Sequence, residues 1–308
     1  MIPHLSFVLC LFLLGVCAYD HVLLIGIDGL NPSCLHNATS NTGFSTLAAL
    51  GASTLEARTT IQTFSAPGWS STLCSMRPDF TGITSNDWVS PNDTATKPTY
   101  TKDGGFEPAS FPIKPAVYPF PCMTSLLSSF TEPNITTYGY YDWLWLDHVT
   151  QGLDRRCSLP QANASADALL VKTYLNDYPS MAHPSFAFLY FGNVDDVGHA
   201  STWCSPAYEE AVGQVDRHLQ TILETVDLST TLIALTADHG GVIGTKHHSW
   251  GGQDSLLIPW FMAGSTIQPG SSPALTTRNL DMGPTLFYAM GLEPHPEWVG
   301  RIHKDIFI

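Results

Sequence analysis

Acid and imidazole side chains follow apolar runs at several places in the chain. The run "TTLIALT" leads to Asp238 and His239, which two glycines follow, and the run "VLLIGI" leads directly to Asp28. Short runs rich in aliphatic and β-branched residues are typical of buried strands. Ligands of an open α/β sheet bind at the carboxyl ends of its strands, so we expect these three side chains to lie there. Taken singly, each also fits an ordinary capping or turn residue.

Two further stretches offer partners for these side chains. After the run "SFAFLYFG", Asp195 and His199 are four residues apart on a short segment, and "GTKHHSWGG" contains His247 and His248. Mixed Asp and His ligation suits Zn²⁺, with Mn²⁺ or Co²⁺ as substitutes. Six ligands are too many for one tetrahedral ion but suffice for two Zn²⁺ that activate the attacking and leaving oxygens of a displacement. The six candidate ligands are Asp28, Asp195, His199, Asp238, His239 and His248.

A candidate nucleophile lies in "TTIQTFSAPGWSSTLCSMRP". Pro67 favours the first turn of a helix, so we expect the helix to begin there with Ser65 at its N-terminus. Free N–H groups and the helix dipole favour a phosphate at this position. A neighbouring metal would lower the pKa of the Ser65 hydroxyl and turn it into a nucleophile. The alternative is that Ser65 is a plain N-cap.

The elements that carry these residues alternate between strand-like and helix-like patterns. This alternation predicts an α/β three-layer sandwich, in which a mostly parallel central sheet has helices on both faces. Residues from about 78 to 121 are rich in Pro, Gly, Thr, Asn and Asp, and we expect a surface excursion that forms a small irregular cap. The aromatic stretch from Tyr138 to His148 is a binding surface or part of the cap or core, and we favour packing in the cap or core.

The first residues of the chain have the pattern of an export signal. Residues 1–18 combine a short polar start, an apolar run and small residues before Tyr19, which predicts a signal peptide and a catalytic domain over residues 19–308. We expect a secreted or lumenal product without a membrane span or lipid anchor. Four sequons fit this expectation, at Asn37, Asn92, Asn134 and Asn163.

Five cysteines follow the predicted signal peptide, so at least one has no partner within the chain. Cys74 falls in a probable buried helix, and we expect it to be the free thiol. The other four then allow three pairings, which the sequence does not rank.

Acidic residues outnumber basic ones, with 27 Asp and Glu against 13 Lys and Arg and a formal net charge of −14. This balance argues against a nucleic-acid polymer as a main partner. A small phosphate ester remains compatible, provided that bound metal supplies local positive charge.

The motif set "GIDG", "FSAPGWSSTLCSMRP", "DDVGH", "TADHGG" and "HHSWGG" resembles the alkaline phosphatase superfamily, and within it the type I phosphodiesterase/nucleotide pyrophosphatase branch. The resemblance runs from Asp28 to about Arg301. It implies one zinc site formed by Asp28, Asp238 and His239, with Ser65 bound there as nucleophile. It implies a second zinc site formed by Asp195, His199 and His248, with His247 fitting the register of the motif less well. Asn86 matches the residue that donates to a phosphate oxygen in this branch.

The resemblance implies a secreted, zinc-dependent hydrolase of phosphoric esters that forms a phospho-enzyme at Ser65. The uncharged Asn86 favours a phosphodiester over a phosphomonoester. The chain departs from the nucleotide-cleaving members, which usually carry Thr and Phe where it has Ser65 and Ala66. It departs from sulfatases at Trp69, where they require Arg. The alternatives are a phosphomonoesterase, a sulfatase and a non-catalytic secreted binding glycoprotein of the same fold.

Overall fold

Strands and helices alternate along the chain as the sequence predicts. The computed structural model describes residues 19–35, 42–90, 120–130, 134–160, 162–248 and 252–308. The described strands are β1 (His21–Ile27), β2 (Gly51–Arg58), β3 (Thr136–Tyr141), β4 (Arg155–Ser158), β5 (Ser185–Phe191), β6 (Thr231–Thr236) and β7 (Leu257–Ala263). The described helices are α1 (Thr42–Leu50), α2 (Ser65–Cys74), α3 (Pro78–Thr81), α4 (Met123–Leu127), α5 (Ala164–Asp177), α6 (Asn193–Ser201), α7 (Pro206–Thr225), α8 (Gln253–Leu256) and α9 (Met282–Ala289).

The sheet is mostly parallel, which confirms the predicted fold class. Its strand order is β2-β7-β6-β1-β5-β3-β4. β1 pairs in parallel with β5 and β6, and β3 pairs in parallel with β5 and β4. β7 is antiparallel to both β6 and β2, so among the described strands it alone runs against the others. Every residue of β1, β5 and β6 is buried, because both faces of the central sheet are covered.

Helices cover the sheet in two groups. In one group α1, α5 and α6 contact α7, and in the other α2 contacts α4 and α9. The contact between α2 and the sheet is tight, since a Cβ on Gly26 of β1 would come within 2.5 Å of the Trp69 ring. This close approach fixes α2 directly over the central strand.

The aromatic stretch from Tyr138 to His148 packs mainly in the core. Tyr138, Tyr140 and Tyr141 are buried in β3, and Trp145 is buried in a 3₁₀ turn that spans Leu144–His148. The interpretation of this stretch as core packing is therefore the one that the structure supports.

The prediction that Cys74 is the free thiol is wrong. Cys74 forms a disulfide with Cys122, and Cys34 forms a second one with Cys204. Among the five cysteines that the structure describes, Cys157 is the free one, and it is half-buried on β4. Burial of Cys74 at the end of α2 was the basis of the prediction, but burial does not distinguish a thiol from a disulfide.

Several other predictions fall wholly or partly outside the described residues. These are the signal peptide over residues 1–18, the sequons at Asn37 and Asn92, and residues 91–119 of the excursion. Asn134 and Asn163 are described and exposed, and the Asn163 carboxamide oxygen caps α5 by accepting from Ser165 N and Ala166 N. No helix in the described ranges has both the length and the apolar character needed to cross a membrane.

Candidate active site

Three neighbouring strands bring the predicted ligands together. β6, β1 and β5 are adjacent and parallel, and Asp238, Asp28 and Asp195 lie just beyond their carboxyl ends. His239 Nε2 lies 3.2 Å from Asp238 Oδ2, 3.5 Å from Asp28 Oδ1 and 3.9 Å from Asp195 Oδ1. The strand-end prediction for these four residues therefore agrees with their positions.

Asp195 and His199 lie on a helix, whereas the sequence indicated only that they share a short segment. α6 begins two residues after β5, so residues four apart share one face of the helix. His199 Nε2 lies 3.3 Å from Asp195 Oδ2 and 3.1 Å from His248 Nε2. His248 is buried in this cluster whereas His247 is exposed.

Backbone carbonyls orient all three imidazoles of the cluster. His199 Nδ1 lies 2.9 Å from Lys246 O, His239 Nδ1 lies 2.8 Å from Gly240 O, and His248 Nδ1 contacts Thr63 O. A carbonyl oxygen only accepts, so each Nδ1 must carry a proton, and a ring in its neutral form then offers an Nε2 lone pair. Hydrogen bonds from one ring nitrogen to a backbone carbonyl commonly hold metal-binding histidines in place.

The donor set fits divalent metal ions. Asp195, His199 and His248 form one group whose donor atoms lie within 4.8 Å of one another, and Asp28, Asp195 and His239 form another. Two facing Nε2 lone pairs, 3.1 Å apart in His199 and His248, repel each other unless a proton or metal ion lies between them. Asp195 Oδ1 and Asp238 Oδ2 are buried and accept no hydrogen bond among the described residues. These are the atoms that bound cations would satisfy.

The electrostatics of the cluster also favour bound cations. Burial, together with the charge of Asp195, raises the pKa of Asp28, and burial with the charges of Asp28 and Asp195 raises the pKa of Asp238. Burial lowers the pKa of His248 to about 3, and the neighbouring His239 adds to this effect. Burial opposes protonation of His199, but its hydrogen bond and attraction to Asp195 prevail and raise its pKa to about 9. Carboxylates buried so close together are costly unless positive charge neutralises them.

Ser65 lies at the edge of this cluster. Its Oγ is 3.3 Å from Asp28 Oδ1 and 3.3 Å from His239 Nε2. α2 begins at Ser65 itself, two residues before the predicted start at Pro67, and Phe64 is the N-cap residue. Ser65 is therefore the first helical residue, and the N-cap alternative is not what the structure shows.

Asn86 lies beside the same helix N-terminus. Its Oδ1 accepts a hydrogen bond of 2.8 Å from Ala66 N. Because this contact occupies the amide oxygen, the Nδ2 group is the part of Asn86 that is left to donate to a ligand. This contact places Asn86, which the family resemblance implies as a donor to a phosphate oxygen, beside the residue that follows Ser65.

Sequence reasoning missed the residues that hold Asp28. Trp69 Nε1 donates to Asp28 Oδ2 at 3.0 Å, and Tyr190 OH donates to the same oxygen at 2.6 Å. Both rings lie in apolar patterns that resemble ordinary core. Trp69 follows Ser65 by one helical turn, and residues four apart share a helix face. This spacing was the one feature of the sequence that could have indicated that Trp69 faces the site.

Comparison with known proteins identifies the family. A family model for type I phosphodiesterase / nucleotide pyrophosphatase matches residues 22–257, and this range contains every residue of the cluster as well as Ser65 and Asn86. The chain belongs to the type I phosphodiesterase / nucleotide pyrophosphatase family. The family description is that of enzymes that cleave phosphodiester and nucleotide pyrophosphate bonds.

Solved structures share the fold at low sequence identity. Murine ectonucleotide pyrophosphatase / phosphodiesterase 5, an inactive variant in complex with AMP, matches with a TM-score of 0.67 and 12% identity over 93% of this chain and 99% of that chain. Phosphonate monoester hydrolase from Silicibacter pomeroyi matches with a TM-score of 0.66 and 15% identity, covering 92% and 75% of the two chains. A 2-O GAG sulfatase matches with a TM-score of 0.66 and 16% identity, covering 92% and 73%. These likenesses show an alkaline-phosphatase-like α/β fold.

A curated relative matches over a shorter segment. The 2,3-bisphosphoglycerate-independent phosphoglycerate mutase of Pyrococcus abyssi is 34% identical over 96 residues, which are 31% of this chain. The match spans only 21% of the length of the mutase.

Proposed function

We propose that this protein is a secreted, zinc-dependent phosphodiesterase that works through a phospho-enzyme intermediate at Ser65. One observation carries the proposal. The Ser65 Oγ lies 3.3 Å from both Asp28 Oδ1 and His239 Nε2, at the N-terminus of α2 and at the edge of the Asp and His cluster. A helix N-terminus favours the negative charge of a phosphate, and the neighbouring ligands would place a cation next to the hydroxyl.

The cluster would provide two adjacent sites. Asp28, Asp238 and His239, with Ser65, would hold one Zn²⁺. The other Zn²⁺ would be held by Asp195 and His199 on α6 together with His248, which lies between β6 and α8. When bound, the two ions would lower the pKa of the Ser65 hydroxyl and stabilise the charge on the attacking and leaving oxygens.

The chain's own residues would then carry out two displacements. In the first, Ser65 Oγ forms a bond to phosphorus while the bond from phosphorus to the leaving oxygen breaks. The Ser65 proton passes to solvent, and the leaving oxygen takes a proton from water. In the second, water adds to phosphorus, the bond to Oγ breaks, and Ser65 regains its proton. Asn86 Nδ2 would donate to a non-bridging oxygen throughout.

A diester fits this site better than a monoester. The side chain beside Ser65 is the uncharged Asn86, which suits the single negative charge of a diester. A monoester dianion would favour an additional cation, but Arg77 forms a two-fold contact with Asp79 instead. A sulfatase is not favoured, because Trp69 occupies the position of the required Arg and donates to Asp28.

Two features of the chain support its export into the secretory pathway. The leader pattern of residues 1–18 is that of a signal peptide, and the two disulfides fit an oxidising compartment.

Three chromogenic substrates test the proposal with the zinc-loaded protein. We expect bis-p-nitrophenyl phosphate to be cleaved with a kcat/KM about tenfold or more above that of p-nitrophenyl phosphate, a difference of about 1.4 kcal/mol in transition-state stabilisation. We expect no turnover of p-nitrophenyl sulfate. A preference for the monoester would replace the diesterase assignment, and the absence of both zinc and turnover would favour a binding protein.

The nucleophile is tested by Ser65→Ala. We expect turnover to fall roughly 10³-fold or more while zinc content, measured by elemental analysis, stays near that of the wild type. Ser70→Ala is the matched control, because Ser70 is buried on the same helix but its hydroxyl donates to Pro67 O within the helix. Full activity in the Ser65→Ala protein would contradict the assignment.

A further inference from the structure

A second group of buried carboxyls lies close to the cluster but shares none of its residues. Asp142 directly follows β3, and Asp167 lies in the first turn of α5. Each is only 2% exposed, and the two carboxyls are close enough to hydrogen-bond if one carries a proton. Neither residue has a role in the proposed hydrolysis.

Three oxygens of this pair lack a hydrogen-bond donor among the residues that the structure describes. They are both oxygens of Asp142 and Oδ1 of Asp167. A buried carboxylate oxygen normally accepts a hydrogen bond or coordinates a metal ion, because leaving it without either is costly.

The strongest charges that act on the pair are negative. Asp196 and Asp28 both raise the pKa of Asp142, and Asp142 raises that of Asp167. Burial is the largest effect and raises the pKa of Asp142 to about 7 and that of Asp167 to about 9. The pair therefore requires a positive partner at neutral pH, either a proton or a cation.

Counting oxygens favours a cation over a shared proton. One proton between the carboxyls would join one oxygen of Asp142 to one oxygen of Asp167, and it would leave the second Asp142 oxygen with no donor except the poorly aligned amide of its own residue. A cation can bind all three at once, with Asp142 bidentate and Asp167 monodentate. We propose that Asp142 and Asp167 form a separate site for a hard divalent cation, with Ca²⁺ preferred. The ligands are all oxygens, and Ca²⁺ accepts bidentate carboxylates together with main-chain carbonyls and water.

This site would join three elements. Asp167 accepts hydrogen bonds from the backbone of Gly192 and Asn193, at the start of α6. A Cβ on Gly192 would come 3.0 Å from Asp142 Oδ1, so the beginning of α6 packs directly against the pair. A cation there would connect the end of β3 and the first turn of α5 to the helix that carries Asp195 and His199.

Thermal unfolding with added CaCl₂ tests the proposal. The protein is first saturated with zinc, so that the Asp and His cluster does not take up calcium. We expect the unfolding midpoint to rise by about 5 °C at calcium concentrations well above the dissociation constant. Titration calorimetry should give one calcium ion per chain.

Two isosteric variants locate the binding. Asp142→Asn and Asp167→Asn should each abolish both the shift and the calorimetric signal. Asp177→Asn, at the end of the same helix α5, should keep them, because Asp177 is exposed and accepts from Tyr140 OH. A shift that persists in both pair variants would place the calcium elsewhere and overturn the proposal.

If calcium does not raise the unfolding midpoint of the wild type, the proposed cation site is also overturned. In that case, a higher midpoint of Asp142→Asn without calcium would show that the two carboxyls share a proton. Unfolding and calorimetry do not depend on hydrolysis, so either result stands apart from the outcome of the phosphodiesterase assay.

Discussion

The two carboxylate oxygens of Asp28 have different partners in the site. Its Oδ2 accepts from Trp69 and Tyr190, whereas its Oδ1 faces Ser65 and His239. The same division holds for the imidazoles, in which Nδ1 faces the backbone and Nε2 faces the cluster. The contacts behind each ligand therefore decide which atom it presents.

Tyr190→Phe tests this arrangement. Removing the hydroxyl takes away the 2.6 Å hydrogen bond to Asp28 and should weaken zinc retention roughly 10–100-fold, as is usual when an outer contact to a metal ligand is lost. The rate of zinc transfer to a chromogenic chelator measures the effect.

Tyr140→Phe is the control for this variant. It also removes a hydroxyl that donates to a carboxylate, at 2.8 Å from Asp177, but on β3 and away from the cluster. Equal zinc retention in Tyr190→Phe and the wild type would show that Trp69 alone suffices to hold Asp28.

The candidate site residues are visible in the sequence, but the residues that hold them in place are not. Asp28, Asp238 and Ser65 stand out because polar residues at strand and helix ends are visible in a pattern of apolar runs. Trp69 and Tyr190 are not visible in the same way, because an aromatic residue in an apolar run has the signature of the core whether or not its polar atom is used.

At the scale of elements, adjacency in the sheet explains why the site exists. β6, β1 and β5 are far apart in sequence, but they are neighbours in the sheet and end at the same edge. The turn after β1 and the turn after α6 are further joined by the Cys34–Cys204 disulfide, which spans 170 residues. This bond ties the loop that follows Asp28 to the end of the helix that carries His199.

Loss of the Cys34–Cys204 disulfide should therefore destabilise both the fold and the site. For a loop of 170 residues the chain-entropy model gives an upper value of about 5 kcal/mol. We expect the Cys34→Ser/Cys204→Ser protein to unfold at a clearly lower temperature in a calorimetric scan.

Cys157→Ser is the matched control. Cys157 is the free cysteine of the described residues, so its replacement should leave the unfolding midpoint nearly unchanged. A double variant as stable as the wild type would mean that packing between α6 and α7 already fixes this region.

Element type was predicted from the sequence more reliably than element partners. The apolar runs before Asp28 and Asp238 were predicted to be strands, and the structure shows them as β1 and β6. The pairing of cysteines depends on which loops meet in space, which is why Cys74 was misassigned. The strand β3 was not predicted, because its aromatic run is equally compatible with a loop or a surface.

At the scale of the whole molecule, the C-terminal segment closes onto α9 through one buried acid. Asp281 accepts from Arg278 Nη2 and from Arg301 N, each at 2.8 Å, and His303 Nε2 lies 3.4 Å away. Burial alone would raise the pKa of Asp281, but the contacts with His303, Arg301 and Arg278 outweigh it and lower the pKa. Asp281 therefore anchors the last residues to the body of the protein.

Asp281→Asn should lower the unfolding temperature at pH 7 by several degrees, because a buried charge-assisted contact costs about 2–3 kcal/mol to remove. The pKa in the folded state is depressed, so the stabilisation is complete above the unfolded value of about 3.9 and is lost as the pH falls through the folded value. The difference between wild type and variant should thus shrink below about pH 4.

Unfolding midpoints measured from pH 7 down to pH 3 check this prediction. Glu293→Gln, which removes an exposed acid that follows α9, should run parallel to the wild type. A constant gap between Asp281→Asn and the wild type across this range would contradict the role given to the Asp281 charge.

The burial of α2 has a consequence for how such a protein can change its substrate. All ten residues from Ser65 to Cys74 are buried, and a Cβ on Gly68 would come within 2.6 Å of Asp238 O. A hydroxyl mounted on so rigid a support cannot move to meet differently shaped molecules. A change in the preferred leaving group must therefore come from the loops around Ser65. Exchange of these loops is the route by which evolution or protein engineering could change the substrate.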